Sequence, residues 1–180
     1  MLAFHEKDAE FFFGRETFVD GLVRVVQQQP LVAVIGSSGS GKSSAVLAGL
    51  IPKLREEGRW LIESFRPNKQ PFYELAAALI SQLEPEVGKT DKTIKAKALA
   101  ESIRQHGFTA DVSAILKDKP GKRLLLVIDQ FEELYTECED TEQQQFVDAL
   151  LTAVELAFGA FTVVLTLRAD FYSYAVNYSQ

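Results

Sequence analysis

Two kinds of hydrophobic pattern alternate along this chain: short unbroken apolar runs, and longer stretches in which apolar residues recur every three or four positions. LVAVI (31–35), RLLLVI (123–128) and FTVVLTL (161–167) are of the first kind, which suits strands covered on both faces of a parallel sheet. WLIESF (60–65) reads as a further strand. The second kind predicts helices between them. Residues 16–28 set Phe18, Leu22 and Val25 on one stripe with Val19, Val23 and Val26 beside it, and Pro30 stops that helix. A helix over 42–57 ends at Gly58, and one over 72–84 turns Phe72, Leu75, Leu79 and Leu83 inward. EPEVGKTDKT (84–93) is a polar connection, followed by helical patterns over 94–106 and 109–117 and a turn at KPGK. Thr141 and Gln144 form a capping box that starts a helix running to about 158, with Phe146, Leu150, Val154 and Phe158 on one face.

Strands alternating with helices imply right-handed crossovers, hence an α/β fold: a mainly parallel sheet between two helical layers. Residues 1–180 show no internal repeat or low-complexity linker and read as one domain. RADFYSYAVNYSQ (168–180) closes the chain without an obvious final element, so the sequence reads as a fragment of a longer multidomain protein.

Composition narrows the classes of partner. With 47% hydrophobic and 24% charged residues over 180 positions, the chain can bury a core of ordinary size. A net charge of −6 gives no global basic footprint, so nucleic-acid binding is not expected. No apolar run approaches the roughly 18 residues of a membrane span, and MLAFHEKDAE does not resemble a secretory signal. The lone Cys138 fits a reducing, cytoplasmic setting. His5 and His106 stand too far apart, without paired ligands, to suggest zinc. Lys89, Lys92, Lys95 and Lys97 read as a solvated face.

The chemistry concentrates where the first buried strand ends. Gly36, Gly41, Lys42 and Ser43 satisfy G-x-x-x-x-G-K-[ST] in the strand-to-helix setting that motif needs. Backbone N–H groups across Gly36, Ser37, Ser38, Gly39, Ser40, Gly41, Lys42, Ser43 and Ser44 would converge on phosphates, aided by the positive end of the following helix. Lys42 would neutralise the β and γ phosphates, and Ser43 would offer a hydroxyl to Mg²⁺, an oxygen-seeking ion. A second acidic site is expected at the carboxyl end of another strand. LLLVIDQFEEL supplies Asp129 there, with Glu132 and Glu133 a turn later to orient an attacking water; their alternative role is to favour a helix N-terminus. Gln130 occupies the position where many P-loop ATPases carry a catalytic glutamate, which predicts slow turnover. Arg168, at the tip of a strand inserted beside the phosphate-loop strand, would sense the γ-phosphate; the alternative is a partner for a carboxylate such as Asp170. The expected ligand is ATP or ADP with Mg²⁺, since no N-K-x-D element for guanine is present.

Taken in order, EKDAEFFFGRE, VIGSSGSGKSS, LVIDQFEELYT and VVLTLRADFY resemble the nucleotide-binding domain of the novel STAND NTPases, signal-transducing P-loop ATPases related to AAA+ proteins. The resemblance runs from about Leu2 to Tyr172. It implies that Phe13, Gly14, Arg15 and Glu16 lie near base and ribose, and that Glu133 orients the water, as in the related NACHT ATPases. It further implies a nucleotide switch continuing into winged-helix and WD-type sensor repeats, with self-association as output. Nucleotide-dependent assembly without catalysis is the main alternative, and a small-molecule P-loop kinase a more distant one.

Overall fold

The computed structural model describes residues 16–86 and 88–177. Phe13, Gly14 and Arg15, assigned above to the base and ribose, lie outside the described residues, as do His5, Phe11 and Phe12. In chain order the elements are α1 (Glu16–Gln28), β1 (Leu31–Gly36), α2 (Lys42–Ser44), a π-helical segment (Ala45–Leu50), α3 (Ile51–Glu56), β2 (Trp60–Phe65) and α4 (Pro71–Leu83). Then come α5 (Lys89–His106), α6 (Thr109–Leu116), β3 (Arg123–Ile128), α7 (Glu132–Glu137), α8 (Asp140–Leu156), β4 (Phe161–Arg168), a 3₁₀ turn (Ala169–Phe171) and α9 (Tyr172–Asn177).

The sheet has four strands, all parallel, in the order β1-β4-β3-β2. β4 therefore lies between the phosphate-loop strand and β3, as the sequence predicts. Successive residues of β3 point to opposite faces, and each face has its own core. Leu125 and Val127 join Val164, Val32, Val34 and Trp60 beneath α1 and the 42–56 helix. Leu124, Leu126 and Ile128 join Phe161, Val163 and Leu165 beneath α4, α5, α6 and α8. The result is the expected three-layer α/β/α arrangement. Phe146 is central to the second core, packed edge-on against Phe72 at 5.3 Å and Phe65 at 6.5 Å. No helix among the described residues is long and apolar enough to cross a membrane.

Several local expectations change. β1 is buried on one face only: Val32 and Val34 are buried, whereas Leu31, Ala33 and Ile35, which point to the opposite face, are exposed. The buried stripe of α1 is Val19, Leu22 and Val26, and Phe18 and Val25 are exposed, bounding a hollow with Val32, Val34 and Ile35 of β1. α5 starts at Lys89, absorbing half of the expected polar connection. α8 starts at Asp140 behind Glu139, with no side-chain cap, so the Thr141/Gln144 box does not form; Phe158 falls beyond the helix and is exposed. The helix after the phosphate loop is not regular. The Ile51 N–H reaches back to the Val46 carbonyl, one residue farther than in an α-helix. Pro52, which has no N–H to give, follows directly, so the wide turn lies where the regular ladder would be interrupted in any case.

Candidate functional site

Parallel register places the carboxyl ends of all the strands at one edge. Gly36 pairs with Arg168, Leu165 with Ile128, and Ile128 with Phe65, so the loops that follow are neighbours. The loop after β1 bends at Gly39 (φ 72°) and Gly41 (φ 82°), left-handed conformations that favour glycine. It also closes tightly on itself: a Cβ at Gly36 would stand 2.8 Å from Ser40 Oγ. The Ser40 N–H donates to the Ser37 carbonyl at 3.2 Å, and that of Ala45 to the Gly41 carbonyl at 2.9 Å, where the helix begins. Lys42 Nζ lies over the loop, donating to the Gly36 and Ser37 carbonyls at 2.8 and 2.9 Å.

A cleft of about 200 Å³ opens here, bounded by Ser38, Gly39, Gly41, Lys42, Ser43 and Ser44 on one side and by Gln130, Glu132, Thr166 and Arg168 on the other. Eight of the expected site residues are thus brought together from three separate parts of the chain. Gly36, Ser37 and Ser40 shape the loop behind the lining.

Asp129 sits just below this lining, buried at 3% exposure, and both its oxygens are engaged. Thr166 Oγ1 donates to Oδ1 at 2.8 Å; the same hydroxyl accepts the Gln130 N–H at 2.9 Å, which fixes the direction of its proton. Arg66, on the loop after β2, grips Oδ2 through Nε and an Nη, each at 3.1 Å. Gln130 itself adopts a left-handed turn (φ 56°), uncommon for a residue with a Cβ. Sequence reasoning overlooked Arg66 and gave Thr166 no role. The available signals were a cation directly after a strand, and a hydroxyl at the tip of an otherwise apolar one.

The glutamate pair divides. α7 begins at Glu132, so both carboxylates occupy a helix N-terminus, as the alternative reading had it. Glu132 faces the phosphate-loop cleft and accepts the Arg168 N–H at 3.3 Å. Glu133 turns into a separate hollow bounded by Asn68, Lys69, Gln70, Tyr73, Glu74 and Glu137, and accepts the Asn68 N–H at 3.2 Å. Desolvation raises the Glu133 carboxyl pKa, opposed by the Asn68 N–H and Arg66 and reinforced by Asp129 and Glu132. The Arg168 side chain is held by Asp170, Nε to Oδ1 at 3.1 Å and Nη2 to Oδ2 at 2.6 Å, and lies over the Phe171 ring. Those bonds lower the Asp170 pKa.

The donor set fits a nucleotide with its metal better than a metal alone. Among the described residues no group of three metal-ligating side chains forms, whereas Ser43 and Asp129 offer oxygens of the kind Mg²⁺ takes when phosphates and water complete its shell. Ser40 Oγ is buried without a partner within the loop, beside amides that a phosphate would occupy.

The family model described as Novel STAND NTPase 1 matches residues 1–180. Among solved structures, the chain is similar to a Walker-type ATPase of Pyrococcus abyssi (TM-score 0.60, 13% identity, 99% of this chain and 50% of that one). It is also similar to the Aeropyrum pernix ORC2 protein in ADPNP–ADP complexes (TM-score 0.56, 14% identity, 93% of this chain and 43% of that one). At these identities the likeness is one of fold, and the chain spans about half the length of those structures or less. A comparison with curated proteins finds no match.

Proposed function

This chain belongs to the novel STAND NTPases, and from that premise we propose that it binds ATP with Mg²⁺ and hydrolyses it slowly, as the nucleotide switch of a longer signalling protein. The observation that carries the reading is the cleft in which the glycine-bent loop, Lys42 and Ser43 face Glu132, Thr166 and Arg168. Its polyphosphate character follows from convergent amides at a helix start together with one lysine. The adenine preference draws support from the ADPNP–ADP complexes of the A. pernix ORC2 protein and from the lack of an N-K-x-D element.

In this reading the loop amides from Ser38 to Ser43 hold the phosphate oxygens, and Lys42 exchanges its hold on the Gly36 and Ser37 carbonyls for the β and γ phosphates. Ser43 and Asp129 are the residues that would hold Mg²⁺, which when bound would neutralise charge building on the phosphates. Geometry precedes pKa in choosing the water-orienting group. Glu133 has the raised pKa, but Glu132 is the carboxylate on the phosphate side, and we assign the role to Glu132 in place of the Glu133 that the family resemblance favours. The Arg168 guanidinium reaches the γ-phosphate after leaving Asp170. Assembly without useful catalysis is the second reading, favoured by Gln130, which lines the cleft where a carboxylate would speed hydrolysis.

Phosphate release by the wild type, Glu132→Gln and Glu133→Gln, with nucleotide affinity measured in each, tests the assignment. Glu132→Gln should lose on the order of 10²-fold in rate with affinity retained, and Glu133→Gln far less. The reverse order would return the role to Glu133, and no release by the wild type despite Mg–ATP binding would leave assembly alone.

A further inference from the structure

Arg66 has no part in the function proposed above, yet two of its guanidinium nitrogens contact Asp129 Oδ2. The two side chains differ in freedom. Asp129 follows a strand buried from Leu124 to Ile128, and its side chain is 5% exposed; Arg66 lies on a loop with its side chain 39% exposed. Asp129 Oδ1 already takes the Thr166 proton, so Oδ2 is the oxygen left for any cation, and the guanidinium occupies it. A divalent cation and a guanidinium at one carboxylate oxygen repel each other, and the partner that can retreat into solvent is Arg66.

From this juxtaposition, and resting on the Mg–nucleotide reading, we infer that Arg66 is the resident counter-ion of Asp129, displaced when Mg–nucleotide binds, and that its departure moves the 66–70 loop off Glu133 and Cys138. The linkage is short. Pro67, whose φ is fixed by its ring, is the single residue between Arg66 and Asn68, which leaves few torsions to absorb a movement of one without the other. The Asn68 N–H donates to Glu133 Oε2 at 3.2 Å, and its carbonyl accepts from Cys138 Sγ at 3.3 Å. The Asn68 side chain bonds both the Arg66 carbonyl and Glu74 Oε1, holding the loop closed in the same arrangement. One exchange of cations at Asp129 therefore reaches the hollow next to the phosphate cleft. Arg66 acts through Asp129 and through this loop; it is a positioning residue, not a catalytic one. It also sets a threshold, because every metal that binds must first displace an ion pair, and removing the competitor strengthens metal uptake by the same factor that metal weakens the pair.

Cys138 is the only cysteine of the chain, and it reports on the loop directly. Burial, with help from Glu142 and Glu137, pushes its thiol up to about 11, so it should react slowly while held against Asn68.

The test uses the full chain with Mg²⁺ and ADPNP, following Cys138 modification by a disulfide reagent and the Mg²⁺ midpoint for nucleotide uptake. In the wild type, Cys138 should react several-fold faster with Mg–ADPNP than with ADPNP alone. In Arg66→Met it should react fast in both, and the Mg²⁺ midpoint should fall roughly three- to tenfold, the scale of a partly exposed ion pair lost as competitor. Arg66→Lys keeps the charge without the two-pronged grip; it should shift both readouts in the same direction by less, and serves if the methionine variant does not fold. Mg-dependent uptake with unchanged Cys138 rates and midpoints in these variants would overturn the inference alone. Absence of ADPNP uptake by the folded wild type would overturn it together with the nucleotide reading.

Discussion

Thr166 is the smallest group on which the geometry around Asp129 depends. Its hydroxyl is used at both ends, giving its proton to the aspartate and taking the Gln130 N–H, and the residue is 1% exposed. Thr166→Val keeps the shape and removes both bonds, leaving a partly buried N–H and a buried carboxylate each short of a partner. The expected cost is about 1–3 kcal/mol. It should appear as a lower urea midpoint with an unchanged slope; an unaltered midpoint would contradict the network. At this scale the phosphate loop was legible in the sequence, because the left-handed turns at Gly39 and Gly41 demand glycine and so show in composition. Arg66 was not legible. A single arginine after an ordinary strand carries no signal until the register of Phe65 with Ile128 makes it the neighbour of Asp129. The separation of Glu132 from Glu133 was equally hidden: adjacent helical residues always diverge by about 100°, but which of them faces the cleft is fixed only by the position and rotation of the helix.

Between elements, the contact of β2 with α4 carries a pH dependence. Glu63 on β2 is half-buried and accepts Gln82 Nε2 of α4 at 2.6 Å; desolvation raises its pKa above the ordinary value despite that bond. A carboxyl whose folded pKa exceeds its unfolded one favours the folded state fully below the unfolded value, about 4.3. That contribution fades as pH rises through the raised pKa. Glu63→Gln, which keeps a hydrogen-bonding acceptor and carries no charge, should flatten the stability profile above about pH 4 and gain on the wild type towards neutrality. Parallel profiles for the two proteins in urea titrations would refute the desolvation argument. The elements themselves were largely legible, because apolar runs and helical periodicity locate them within a residue or two, except at the start of α5, which lies five residues earlier than the pattern suggests. What periodicity cannot supply is which neighbour covers which side. Val25 and Phe18 lie on the apolar half of α1 and Ile35 in an apolar strand, yet all three are exposed. The π-helical segment was missed for a different reason: Pro52, just beyond it, predicts a disturbance of the helix without specifying its form.

At the scale of the whole molecule, a parallel sheet gathers residues distant in sequence at one edge. Gly36, Arg66, Asp129 and Arg168 each follow or end a different strand, and the β1-β4-β3-β2 order sets the phosphate loop beside Arg168 and Asp129 beside Arg66. Family membership and fold agree with that arrangement, and the proposed switch is a property of the edge as a unit: cations on long side chains, Lys42, Arg66 and Arg168, rest on internal partners that phosphate and metal would replace. The most direct test is calorimetric titration of Mg–ATP into the folded chain, beside Lys42→Ala with its fold verified by circular dichroism. Saturable binding near one nucleotide per chain, lost or severely weakened in Lys42→Ala, is the predicted result. No heat of binding from the folded wild type, or equal binding by both proteins, would contradict the assignment of this cleft to a nucleotide.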